Sequence, residues 1–166
     1  MKPLIHLLYA SAITFGLSTP SQMKTHTMAG ITAEWHFNQN ELCMELTSPS
    51  KGWLAVGFNN KRDLIGSNLI MAAQRNGKTA IEDQYITSLG THPTVDDLGG
   101  SSHIAEASID DFGNGKRLIL KIQATPQDNF HYLLKSNQRI YLTLAYSTST
   151  DFSHHSRQRE SIWIQL

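Results

Sequence analysis

Gly52-Trp53-Leu54-Ala55-Val56-Gly57-Phe58 is followed by Gly66-Ser67-Asn68-Leu69-Ile70-Met71 and then by Gly77-Lys78-Thr79-Ala80-Ile81-Glu82-Asp83-Gln84-Tyr85. These are three strand-like runs in succession, divided by the polar segment Asn59-Asn60-Lys61-Arg62-Asp63 and by the tight turn Arg75-Asn76-Gly77. Trp53 to Phe58 is apolar on both faces, the pattern of a strand at the centre of a sandwich. Glycine inside a strand weakens it and marks a bulge or the close approach of another group. The runs therefore describe a sheet whose backbone comes near something.

Working outward toward the N-terminus, residues 29–37 alternate, with Ile31, Ala33, Trp35 and Phe37 on one face and Thr32, Glu34 and His36 on the other. Period-two alternation marks a half-buried strand. Asn38-Gln39-Asn40 is turn chemistry, and Leu42, Met44 and Leu46 continue a hairpin that ends at Ser48-Pro49-Ser50. Toward the C-terminus, further strands fit at about 103–108, 116–123, 139–147 and 160–166, with Phe112-Gly113-Asn114-Gly115 as a hairpin turn. Leu118, Leu120 and Ile122 share one face, as do Ile140, Leu142, Leu144 and Tyr146. Residues 89–102 hold Pro93 and Asp96-Asp97 and are long enough for a functional loop. Residues 124–138 read as a second loop, with one helical turn around His131 to Lys135. No segment keeps apolar spacing at i, i+3, i+4 and i+7 over a helical length. The expected fold class is all-β, an antiparallel immunoglobulin-like sandwich of about nine strands.

The chain has 166 residues, and its beginning reads as a leader. Met1-Lys2-Pro3 is positive, residues 4–17 are uncharged and mostly apolar, and Gly16, Ser18 and Ser21 supply small residues around a cleavage point. That order of parts is a secretory signal peptide, and the run is shorter than the ~20 residues a membrane-spanning helix needs. The expected organisation is a signal peptide over residues 1–21 and one domain over residues 29–166. The mature chain is then periplasmic or secreted, with no membrane span. Lys+Arg 14 balances Asp+Glu 14, so losing Lys2 leaves the mature chain near −1. Nothing here is built to neutralise a phosphate backbone, and nucleic acid is not an expected partner. Cys43 is the one cysteine, so no internal disulfide forms. Alternation puts it on the strand face opposite Leu42 and Met44. Without a CxxC or CxxCH sequence, covalent c-type haem and a Cys-based zinc site are both disfavoured.

The order of several short pieces resembles a DOMON domain. The pieces are Gly52-Trp53 with Gly57-Phe58, Gly66-Ser67-Asn68, Asp83, the His92-Pro93 loop with Asp97 and Gly99-Gly100, Ala145-Tyr146, and Asp151-Phe152 before His154-His155. The resemblance covers residues 30–166 and is closest to small, exported, single-domain bacterial members. DOMON domains are sandwiches that bind haem b or, in other branches, sugars. In the haem-binding relatives a methionine on the loop after the Gly-Phe strand and a histidine near the C-terminus hold the iron. The resemblance implies the histidine at His155, with His154 as the alternative. At the methionine position this chain has Leu64, which has no lone pair to offer. Met71, seven residues on, or an open position would then stand opposite the histidine.

On this reading the cofactor-binding set is His155, His154, Met71, Arg157 and Trp53, with His155 as the haem-iron ligand. Neighbours on a strand point to opposite faces, so one of the two adjacent histidines addresses the pocket. Arg157 and Arg159 share the parity of His155 and suit haem propionates through charge-assisted hydrogen bonds. The expected role is binding haem b between the sheets for electron transfer or redox sensing, with a redox partner protein. A second reading is a haem-free module for a sugar or other small molecule, using Trp53, Tyr85 and His92. A third is an interaction domain with a filled interior. His36, His103 and His131 are expected at the surface, and His92 with Asp96 and Asp97 forms an oxygen-rich loop suited to a hard cation. No Gly-x-Ser-x-Gly, His-Glu-x-x-His or phosphate-cradling loop occurs, and Glu82 and Asp83 point apart on a strand, so an enzyme is not expected.

Overall fold

In the computed structural model the described residues are 22–166, and the expected signal peptide over residues 1–21 lies outside them. Ten strands follow in order: β1 (Lys24–Met28), β2 (Ile31–Asn38), β3 (Glu41–Ser48), β4 (Leu54–Asn59), β5 (Asn68–Arg75), β6 (Lys78–Tyr85), β7 (Ile104–Phe112), β8 (Gly115–Gln123), β9 (Arg139–Tyr146) and β10 (Gln158–Gln165). A single 3₁₀ turn, Asp96–Leu98, interrupts the long connection between β6 and β7. All pairings are antiparallel, and the strands form two five-stranded sheets in the orders β1-β2-β3-β8-β7 and β10-β9-β4-β5-β6.

The sandwich agrees with the alternation in the sequence, with one strand more than expected. β1 precedes residue 29 and pairs along its length with β2, so the sheet begins at Lys24. Its sequence, Lys-Thr-His-Thr-Met, is polar because it is an edge strand with one fully buried side chain, Met28. Polar edges of this kind resist pairing with other chains, and they also hide the strand from an apolar pattern search. The helical turn expected near His131 is not formed. That segment instead returns to the sheet, with the Leu134 N–H donating to the Ala124 carbonyl at 2.8 Å and the Leu134 side chain buried.

Between the sheets the core is apolar and closed. Ile31, Ala33 and Trp35 of β2, Leu42, Met44 and Leu46 of β3, and Leu118, Leu120 and Ile122 of β8 pack toward the other sheet. There they meet Leu54, Val56 and Phe58 of β4, Ile70 and Ala72 of β5, and Ile140, Leu142 and Leu144 of β9. Cys43 faces away from this core, as its parity requires.

The second sheet departs from ordinary alternation. Every residue of β4 is buried, and so are the first six of β5. A sandwich strand with one solvated face alternates polar and apolar residues. Burial on both faces means that a third layer covers the outside of β4 and β5. Loops supply that layer. One of them must pass directly over Gly52, where an added Cβ would overlap the Ser147 carbonyl. The Trp53 N–H donates to Ser149 O at 2.9 Å and the Ser147 N–H to Trp53 O at 3.0 Å, fastening the chain after β9 beside the start of β4.

Candidate functional site

On the outer face of the second sheet, Ala55 and Gly57 of β4 lie between Leu69, Met71 and Ala73 of β5 and Thr143 and Ala145 of β9, as the pairings Ala55–Met71, Gly57–Leu69, Ala55–Ala145 and Gly57–Thr143 require. Trp53, Ala55, Leu69, Met71, Ala73, Ile86, Ala145 and Phe152 form a second apolar cluster, separate from the core between the sheets. Above this floor is a cavity of ≈ 430 Å³, within the ~300–1,000 Å³ of small-molecule sites. The small side chains leave the space. A Cβ at Gly57 would stand 3.3 Å from the Thr143 Cβ and 3.4 Å from the Leu69 Cδ1, on the floor itself. The expectation of a ligand between the sheets is therefore corrected. Apolar side chains fill that space, and the opening lies on the sheet's far side.

The connection from β9 to β10 forms one wall. Its path is fixed by Arg75, whose Nε donates to Thr150 O at 2.7 Å while the guanidinium lies 4.1 Å from the centre of the Phe152 ring. The Asp151 carboxylate accepts from the Ser153 N–H, and the Trp53 indole N–H donates to His154 O at 3.2 Å. His154 and His155 both reach the cavity, although both are exposed at its rim. The rule that neighbours diverge fails here because β10 begins only at Gln158, so the pair sits in a turn rather than on a strand. His154 Nδ1 lies 3.2 Å from His155 O and 3.5 Å from the Ser147 hydroxyl.

Of the expected set, His155, His154, Met71 and Trp53 line this one cavity, and Arg157 does not. Arg157 is exposed and contributes its backbone N–H to Tyr146 O at 2.7 Å, while Arg159 is the arginine at the cavity. Met71 is 2 % exposed and belongs to the floor. Leu64, on the connection between β4 and β5, lines the cavity with an apolar side chain. Trp53, Tyr85 and His92 do not converge as a sugar platform. Tyr85 packs edge-on against Phe130, with ring centres 5.4 Å apart, and does not line the cavity.

His92 forms part of the opposite boundary. The chain after β6 folds back beside it, with Tyr85 N–H donating to Pro93 O and Gln84 bridging Thr94. Glu82 and Gln84 project from β6 on the same outer face, opposite Met71 and Leu69. Gln84 Nε2 donates to Glu82 Oε2 at 2.6 Å, and Gln84 Oε1 lies 2.7 Å from His92 Nδ1. A carboxylate only accepts, so the amide NH₂ must face Glu82 and the amide oxygen must face His92. His92 is then the donor through Nδ1–H, and its Nε2 carries the lone pair. The loop does not join His92 to Asp96 and Asp97 for a cation. Asp97 instead pairs with the Thr94 hydroxyl at 2.6 Å, and both aspartates are exposed.

Beneath this loop lies a charged cluster in which two residues expected at the surface, His103 and His131, are buried instead. His103 and His131 are 3 % and 7 % exposed, and their rings stack with centres 3.8 Å apart. His131 Nε2 is 3.0 Å from Asp83 Oδ2 and its Nδ1 2.7 Å from Asp128 Oδ1. Asp83 also accepts from Asn68, Ser102 and the His103 N–H. Burial opposes charge on His131, but hydrogen bonds and the field of the two carboxylates outweigh it and hold its pKa above the ordinary value. Burial likewise pushes Asp83 and Asp128 up, and their bonds to His131 and to backbone N–H groups bring both below the usual carboxylate range. Burial and then the neighbouring His131 charge drive His103 down. His103, Asp128 and His131 are close enough together to suggest a metal group. Both His131 nitrogens already face carboxylates, and His103 Nε2 accepts from the Gln127 N–H, so the cluster satisfies itself. It clips the connections before β7 and before β9 to Asp83 of β6.

The family description "DOMON domain" matches residues 26–147. The chain belongs to the DOMON domain family. Among solved structures, this DOMON domain is similar to the cytochrome b domain of pyranose dehydrogenase from Coprinopsis cinerea. The TM-score is 0.57 at 12 % identity, covering 89 % of this chain and 88 % of that one, which is a likeness of fold. No curated protein matches the sequence. No helix among the described residues is long and apolar enough to cross a membrane.

Proposed function

We propose that this DOMON domain is exported and binds haem b in the cavity on the outer face of β4, β5 and β9. The observation that carries the reading is the cavity itself: a small-residue, apolar floor with three imidazoles and an arginine at its edge. When bound, haem would supply one-electron redox chemistry, tuned by its axial ligands and its burial. The chain's own residues divide the remaining work. The His154/His155 pair supplies the imidazole ligand, and the Nδ1 contacts of His154 favour that residue because they hold its ring through one nitrogen, as a ligand's second nitrogen is held. Arg159 offers a charge-assisted partner for a carboxylate at the rim. Ala55, Gly57, Met71, Ala145 and Phe152 exclude water from one side of the site. The likeness to a cytochrome b domain supports the same reading through fold, and the cytochrome's role suggests electron transfer or redox sensing with a partner protein.

Titration of the purified protein with haemin, followed optically in both redox states, tests the proposal. A saturable Soret band that shifts on reduction is expected, with His154→Ala changing it more than His155→Ala. Absence of any band with the wild-type chain, in either state, would end the haem reading.

A further inference from the structure

We propose that His92 is the second axial ligand of the site, facing the His154/His155 pair across the floor. This rests on the haem reading and specifies its coordination. The position expected to carry a sulfur ligand holds Leu64, whose hydrocarbon side chain coordinates nothing. The cavity lining offers iron four donor-bearing side chains: Met71, His92, His154 and His155.

Axial ligands approach iron from opposite faces of a flat macrocycle, so they must come from two walls. The register of the sheet provides that arrangement. His154 and His155 are fastened to Trp53 and Ser147, at the end where β4 starts and β9 finishes. His92 is fastened to Gln84 on β6, three strands along from β9 beyond β4 and β5, and toward the other end, where Gln84 opposes Leu69. Met71 lies between them in the floor, packed among Trp53, Ala55, Leu69 and Ala145.

The support behind His92 is that of a ligand. Metal-bound histidines give their second ring N–H to a fixed acceptor, which sets the tautomer and aims the other nitrogen. The chain Glu82–Gln84–His92 does this through two bonds of 2.6 and 2.7 Å, with Gln84 buried at 3 % exposure. A buried glutamine held by a carboxylate and pointed at a half-exposed imidazole is unnecessary for a loop that only needs fastening. Backbone bonds from Tyr85 to Pro93 and from Val95 to Asp83 already do that.

The test is haemin titration of the whole chain and of His92→Ala, read by optical and electron paramagnetic resonance spectra. The wild type is expected to give a six-coordinate, low-spin, bis-imidazole signature without a sulfur-to-iron charge-transfer band. His92→Ala is expected to keep haem but turn five-coordinate and high-spin, and added free imidazole should restore the low-spin spectrum. His92→Met should return six-coordination with a raised potential. Gln84→Leu should weaken haem binding about 10-fold without losing the fold. A low-spin spectrum that survives His92→Ala and collapses in Met71→Leu would overturn the assignment while leaving haem binding intact. A five-coordinate wild type would do the same. If the wild type takes up no haem, the haem reading fails and this assignment falls with it.

Discussion

Gly57 shows how one residue decides whether a sheet has a usable outer surface. Any side chain there would project between Thr143 and Leu69, at contacts of 3.3 and 3.4 Å already for its first carbon. Gly57→Val is therefore expected to keep the sandwich, since valine suits a strand, and to fill the floor. Haemin or any other cavity ligand should bind at least about 10-fold more weakly (~1.4 kcal/mol), with an unaltered far-ultraviolet circular dichroism spectrum as the control. The glycine was legible in the sequence as a close-approach position. The lining of its cavity was legible only in part, because His92 reaches it through a loop whose course no period-two pattern encodes. Arg157 was misplaced for the related reason that strand parity does not extend through the turn preceding β10.

Two connections carry predictions at the scale of elements. The β9–β10 connection depends on Arg75, which donates to Thr150 O and covers Phe152. A hydrogen bond from a charged donor contributes ~1.5–3 kcal/mol, so Arg75→Ala should speed amide exchange across residues 150–155 and weaken ligand binding before it unfolds the domain. The connections clipped by His131 respond to pH. His131 has a raised folded pKa, so its contribution is complete below the unfolded value of about 6.5 and is lost as pH rises through the folded value. His103 is depressed and acts in the opposite sense, contributing above about 6.5 and losing that as pH falls through its folded value. Asp83 and Asp128, also depressed, contribute above about 3.9 and lose their part on further acidification. Melting temperatures from pH 4 to 9 should show His131→Asn abolishing the alkaline decline and His103→Asn reducing the loss just below neutrality. His131→Ala, which takes the imidazole from the buried Asp83 and the half-buried Asp128 carboxylates, should cost about 3–5 kcal/mol at pH 6. An unaltered pH profile in both variants would contradict the clip.

At the scale of the whole molecule, β1 extends the sheet ahead of residue 29, and its five register pairs with β2 belong to the fold. Lys24 adds a bond to the Leu166 carbonyl at 2.5 Å, and the Ala29 N–H donates to Glu160, tying the edge of one sheet to the chain's end in the other. With cross-strand pairs at ~0.2–1 kcal/mol each, a chain starting at residue 29 should be less stable than one starting at residue 22 by about 1–5 kcal/mol. Denaturant titration of the two would measure it. What the sequence determined alone was the sandwich: alternation names the inward face of each strand, and turn residues such as Asn76-Gly77 end strands by local backbone geometry. Those are interactions between near neighbours, so they are written in short windows. Which face of the second sheet would be covered by loops, and which imidazoles would meet above it, was decided by tertiary structure. A ring at residue 92 and another at residue 154 share a cavity because β4, β5 and β9 lie side by side between their anchors. Only the closing of long loops onto a finished sheet brings them together.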